Sequence, residues 1–170
     1  AFTWCRAKGD SWYLPAKSEL LEIYRNRHAI NETMSKHDGG RFLGYHWSST
    51  EYVGDESYKH TFVESQSVTF SKAGNIFVRA VAKFGKQTSA KIHKTFAPYK
   101  IGDFYNDGDK KGVIFDIAAD GRTAKIVNIY HNRVLKWTTD GAEAARLVGT
   151  NSADGAYNKS VINHIDNWQT

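Results

Sequence analysis

The residues of this sequence that could do chemistry are seven histidines, one cysteine, a run of hydroxyls and one acid-rich loop. His28, His37, His46, His60, His93, His131 and His164 could ligate a metal or move protons. None stands at HxxxH or HExxH spacing and no CxxC accompanies them, so they are expected as packing or surface residues. The run from Asp103 through Asp107, Gly108 and Asp109 opens like a calcium loop with its glycine at the sixth position. Its third position is Tyr105 and its twelfth is Ile114, where ligand oxygens are needed, so an Asx-rich turn is expected instead. Ser48, Ser49 and Thr50 sit outside any GxSxG context and are expected to bond backbone groups at a bend. Cys5 is the single cysteine; it excludes an internal disulfide and reads as a buried structural thiol. No cofactor, metal or catalytic residue is therefore expected. Paired carboxylates are invisible to sequence spacing, and Glu51 with Asp55 or Glu64 stays open as the acid and base of a glycan hydrolase.

A different pattern fills the stretch from Tyr45 to Asn75, where aromatic and short polar residues interleave. Tyrosine offers large, rather rigid contact area with a polar tip, and amides and charges set specificity around it. Tyr52, Asp55, Tyr58, His60, Glu64, Gln66, Lys72 and Asn75 are the candidate ligand-binding residues. An ordinary solvated sheet face would show the same alternation.

The elements that must position them follow from periodicity. Phe2, Trp4, Cys5 and Ala7 form a helix-compatible run that Gly9 stops, and Leu14-Pro15 makes an extended corner. Leu20, Leu21 and Tyr24 recur at helical spacing over Lys17 to Asn26, and Ile30 and Met34 share a face over Ala29 to Lys36. From Tyr45 the period changes to two, predicting four short antiparallel strands over HWSSTEY, SYKHTFVES, QSVTFSKAG and NIFVRAVAKF. Phe77 and Val81 point away from the row of Ile76, Val78 and Ala80, so the fourth strand is expected to be covered on both sides. Val113, Phe115 and Ile117 should pair with Ala124, Ile126 and Ile129 across the Ala119-Asp120-Gly121 turn. Leu135 and Trp137 suit another strand, and Tyr157, Val161, Ile162, Ile165 and Trp168 a final helix.

At 170 residues, 41% hydrophobic and 14% aromatic, the chain can bury a core and falls in the one-domain range. No stretch approaches the roughly 18 consecutive apolar residues of a membrane helix. AFTWCRAKGD lacks the basic-then-apolar order of a signal peptide, so an exported parent would carry its leader elsewhere. The net charge of +5 would suit an acidic partner. However, the densest basic residues, Lys83, Lys86, Lys91, His93 and Lys94, fall mostly in a linker of polar composition over 85–98. Neither nucleic acid binding nor membrane insertion is expected.

WYLPAKSELLEIY, YHWSSTEY and FVRAVAKF together resemble a family of domains of unknown function that share a C-terminal module with Legionella collagen-like proteins. The family pattern W-x-LP-x-x-x-E-L falls on Trp12, Leu14, Pro15, Glu19 and Leu20. WSSTE falls on Trp47 to Glu51, and the closing VR-x-V on Val78, Arg79 and Val81. The likeness covers residues 1–84. Residues 99–170, with YKIGDFYNDG, GVIFDI, ADGR and GAYN, resemble the companion half in Bacteroidetes surface proteins. The resemblance implies an α+β, C-type-lectin-like fold related to formylglycine-generating enzymes, with short antiparallel strands, two main helices and an additional hairpin. A lone Cys5 cannot supply that enzyme's paired cysteines, and the EPN, QPD and WND signatures of calcium-dependent sugar binding are missing.

In such proteins the YKIGDFYNDG half precedes the WYLP half, whereas here it follows. Circular permutation, two segments out of native order, or a cut through a tandem array would each produce this; under permutation the linker bridges the former termini. Relatives of the fold include the variable display proteins of diversity-generating retroelements, and residues 52–77 occupy the diversified position. The expected function is a secreted or outer-surface recognition module for a protein or glycan. The alternatives are a structural domain of a surface or adhesin assembly, and the hydrolase.

Overall fold

A computed structural model describes residues 1–52, 56–61, 64–85, 99–119, 121, 123–130, 132–137 and 150–163. Asp55, the stretch 86–98, Asp120, and Ile165 and Trp168 of the expected final helix lie outside them. The fold class is α+β, as expected.

Helix α1 (Phe2–Arg6) turns Phe2 and Cys5 inward and ends before Gly9, whose φ of +124° is open to glycine alone among common residues. Strand β1 (Trp12–Tyr13) leads through the Leu14-Pro15 corner into α2 (Lys17–Arg25). The Glu19 carboxylate accepts the Ala16 N–H at 2.9 Å, half of a capping box that fixes where α2 starts. Its buried face is Glu19, Leu20 and Ile23, while Leu21 and Tyr24, expected inside, are half-buried. Helix α3 (Arg27–Lys36) buries Ile30 and Met34 and begins two residues earlier than expected. The Asn26 amide separates the helices by donating to Glu22 O and Phe115 O.

The strands β2 (Tyr45–Glu51), β3 (Glu56–Thr61), β4 (Ser67–Ser71) and β5 (Ile76–Val78) lie where the run is predicted, but β5 pairs parallel to β2 and not antiparallel, and the fourth member is divided. Pairing stops at Arg79-Ala80, and β6 (Val81–Gly85) belongs to another sheet. Val81 points opposite to Ile76 and Val78 because the chain has crossed between layers. Strand β7 (Phe104–Asn106) and the hairpin β8 (Lys111–Ile117) and β9 (Thr123–Asn128) complete the β6 sheet, in order β1-β6-β9-β8-β7. The predicted hairpin forms with a bulge: Ile114 pairs with Ile126 and Asp116 with Lys125, leaving Phe115 as the extra residue. The bulge puts Val113 and Phe115 on one side and Ile114 and Ile117 on the other, breaking the expected row. Strand β10 (Arg133–Leu135) joins the second sheet, in order β10-β5-β2-β3-β4. Trp137 is buried beyond its end. Helix α4 (Gly155–Asn163) lies against β1 and β2. Among the described residues no helix is long and apolar enough to cross a membrane.

The β1-to-β7 sheet is the middle layer. One face, through Val81, Val113 and Val127, packs on Leu20, Ile23, Ile30 and Met34 of α2 and α3. The other, through Ala82, Ile114 and Ile126, packs on Phe2 and Cys5 of α1 and on Trp47 and Val78 of the second sheet. Residues from before and after the 86–98 stretch fill both cores.

Candidate functional site

The motif residues are occupied by the fold. Arg79, fully buried at the crossover, donates to Gly40 O (2.6 Å), Asn128 O (2.9 Å) and Tyr130 O, tying three chain segments to one guanidinium. Burial lowers its pKa to about 9, which still leaves it charged at neutral pH. Glu19, also buried, accepts from Tyr13 Oη (3.0 Å), Ala16 N and Gly155 N and pairs with Lys125 (2.9 Å). Ser48 Oγ accepts the Thr50 N–H, Thr50 Oγ1 accepts the Lys17 N–H, and Ser49 Oγ accepts from the Asn158 amide at 2.8 Å. Ser48 and Thr50 bond backbone groups, as expected, whereas Ser49 bonds a side chain of α4. In the acid-rich loop Asn106 and Asp107 accept the N–H groups of Gly108, Asp109 and Lys110, the Asx turn expected there.

Of the eight candidate binding residues, the seven that are described do not form one face. Tyr52 and Tyr58 come together where β2 and β3 meet, with ring centroids 5.4 Å apart, edge to face. The Tyr52 N–H donates to Glu56 O, which ties the end of β2 to the start of β3. The Lys17 ammonium, from the first residue of α2, stands 4.0 Å over the Tyr58 ring. Tyr52 is 50% exposed and Tyr58 is half-buried, an anchor with a free rim. Glu64 and Gln66 are exposed but follow the far end of β3, where Gln66 O accepts the Thr61 N–H. Asn75 is exposed just before β5, whose Phe77 pairs with His46 near the start of β2, again away from Tyr52.

Two candidates are corrected outright. His60 is 1% exposed: its Nδ1 lies 2.9 Å from Ser67 Oγ, its ring stands against Tyr24, and burial lowers its pKa to about 4. Lys72 is 1% exposed, ion-paired with Glu51 and 4.7 Å over the Trp137 ring. Both sit on a strand or at its end with the parity of an exposed row, and both are covered by distant parts of the chain: α2 over His60, and the segment after β10 over Lys72.

Of the carboxylates kept open for a hydrolase, Glu51 and Glu64 are separated, and Asp55 lies outside the described residues. Glu51 is bonded to Lys72 and pairs across the ladder with Ser57, while Glu64 lies beyond Thr61. Four strand steps of about 3.3 Å put roughly 13 Å of β3 between those levels. Glycosidase pairs stand about 5–9.5 Å apart. Among the described residues no group of three or more His, Cys, Asp or Glu could hold a metal.

Sequence reading missed Lys17, which it used only as a helix residue, and Lys59. The Lys59 ammonium lies 4.1 Å from the Tyr45 ring and 3.8 Å from Phe70, with its pKa lowered by desolvation. Their strand pairings, Tyr45 with Thr61 and Lys59 with Val68, place them on one face, a relation visible only once register is known. Compared with protein-family models, curated proteins and solved structures, the chain matches none.

Proposed function

We propose that this chain is a recognition domain that binds a protein or glycan through the Tyr52–Tyr58 edge, with Lys17 beside it. The observation that carries the reading is the exposed, edge-to-face tyrosine pair capped by an ammonium and mounted on a paired strand end. Half-exposed tyrosines with few rotatable bonds lose little entropy on binding and dominate many interfaces. Asp55 lies between Tyr52 and Tyr58 in the sequence, and the proposal keeps it as a candidate. Glu64, Gln66 and Asn75 then serve a separate part of the surface.

The proposal extends to a C-type-lectin-like topology of the Legionella collagen-like module type, on a secreted or outer-surface protein, with residues 52–77 as the display region of a retroelement-type variable protein. Its support is that Trp47, Arg79 and Glu19 of the resemblance act as structural pins, leaving the surface around Tyr52 free to differ. A rotated segment order is supported by α4 lying against β1, where the Lys159 ammonium donates to Asp10 O.

The test is binding of the labelled domain to glycan and surface-protein arrays, with and without chelator, for wild type and Tyr52→Ala/Tyr58→Ala. The ring pair is worth about 0.5–1.5 kcal/mol and the cation–π contact about 0.5–1, so the variant should stay folded. Chelator-resistant signal lost in the variant supports the reading. Signal that the variant retains, or no signal from wild type together with self-association, overturns it in favour of a structural domain.

A further inference from the structure

A second polar site lies at one end of the middle sheet, formed by residues from α1–β1, the β7–β8 turn and the end of β9. It is a cavity of about 250 Å³. At its back stand Trp12 and Asn128, each 2% exposed. Asn128 Oδ1 accepts the Tyr130 N–H at 3.0 Å, which fixes the amide's orientation and leaves its NH2 group to the cavity. Neither that NH2 nor the Trp12 indole N–H bonds another described residue. The other two buried indoles are satisfied: Trp47 donates to Leu135 O at 3.0 Å and Trp137 to Ser48 O at 2.7 Å. Both donors open onto the cavity, and their convergence there needs an explanation.

Charge supplies one. Lys8 and Lys111 also line the cavity, and neither has a carboxylate within ion-pair distance among the described residues. Lys72, Lys36 and Lys125 all do. The Lys8 ammonium instead lies 4.0 Å over Trp4 and 5.5 Å from the Tyr130 ring. Burial first, and then Arg79 and Arg133, lower its pKa, a cost that a bound anion would offset. One water could satisfy two donors but would leave both cations unpaired. An anion with several oxygens satisfies all four groups. Among the described residues the only acid lining the cavity is Asp109, and it and Asn106 offer acceptors to hydroxyl groups. The volume falls below the roughly 300–1,000 Å³ of pockets for drug-sized ligands.

We propose that this cavity binds a small hydroxylated carboxylate of sugar-acid size, its carboxylate on Lys8, Lys111, Trp12 and Asn128 and its hydroxyls toward Asp109 and Asn106. The site shares no residue with the Tyr52–Tyr58 edge, so either can fail alone. The uronate chemistry is common to a free sugar acid and to the terminal residue of a glycan.

The test follows the Trp12 indole N–H and Asn128 side-chain NH2 by 1H–15N NMR during titration with D-glucuronate, a uronate-terminated oligosaccharide, D-glucose and sodium sulfate. Saturable shifts at both groups are expected with glucuronate, weakened about tenfold or more by Lys8→Gln/Lys111→Gln. Both lysines are only half-buried, so that variant should fold, and its thermal midpoint checks this. Asn128→Asp, which removes the NH2 donor and adds a charge, should weaken binding independently. Saturation of the same signals by the oligosaccharide assigns a glycan terminus, and saturation by glucuronate alone assigns a free acid. No saturable shift, equal saturation by glucose or by sulfate, or unchanged binding in the lysine variant overturns the proposal.

Discussion

Lowering the pH from 7 to 5 should destabilise this protein by about 4 kcal/mol, through two buried histidines. His46 is fully buried between Phe42 and Phe77, with Nε2 3.1 Å from Asn132 Oδ1. Burial, with Arg79 nearby, lowers its pKa to about 3, and burial lowers that of His60 to about 4. An unfolded histidine titrates near pH 6.5. Between the folded and unfolded values the unfolded chain holds a proton that the folded chain refuses, so stability falls with pH through that window and is flat above about 7. Each histidine then contributes a loss of about 2 kcal/mol between pH 7 and 5. Carboxylates titrate mainly below about 4.5, so they contribute little in this window. The assay is urea unfolding at pH 7, 6 and 5 at constant ionic strength, for wild type, His46→Gln, His60→Gln and the double variant. Each single variant should lose about 2 kcal/mol of the difference between pH 7 and 5, and the double about 4. A flat wild-type profile, or a double variant that keeps the full slope, would refute the argument that these rings are neutral and buried.

Lys72→Met should cost about 3–5 kcal/mol by leaving the Glu51 carboxylate buried without its partner, whereas Glu51→Met/Lys72→Met should recover most of that in urea unfolding. Equal losses in the single and double variants would show that Lys72 acts by packing on Trp137 and not through its charge. Cys5 should resist a thiol-specific reagent: burial pushes its pKa up to about 12, so its thiolate fraction at pH 8 is roughly a thousandfold below that of a free thiol. Colour development in the native protein at the rate seen in urea would contradict that burial.

The helices, the strand run and the β8–β9 hairpin were legible because each is written in local periodicity. The rest depended on distances along the chain that periodicity does not carry. The apolar pattern continues unbroken through Phe77, Val78, Ala80 and Val81, so nothing local marks the change of sheet at Arg79; the guanidinium that holds it reaches carbonyls of residues 40, 128 and 130. The bulge at Phe115 inserts one residue and reverses the parity of those after it, which alternation alone reads as one continuous row. The binding candidates were chosen by residue type and strand parity, and parity assigns a face without saying whether another layer covers it. Hence Tyr52 and Tyr58 met as expected, while His60 was covered by Tyr24, 36 residues back, and Lys72 by Trp137.

The same comparison says where function can reside. Glu19, the WSST hydroxyls and Arg79 each hold parts of the chain far apart in sequence, and each is surrounded by partners of the same molecule. Such residues are held by the chain itself, so substituting them should be read in stability. Trp12 and Asn128 differ in where their unused groups lie: each keeps an N–H that no described residue accepts and that opens onto a cavity. Trp47 and Trp137 have bonded indoles, whereas Trp12 shares its cavity with two lysines. Tyr52 and Tyr58 represent the other kind of spare capacity, apolar area with polar rims on a fixed strand end. Those two places, and not the sequence motifs, are where substitutions should change binding while the unfolding transition stays where it was.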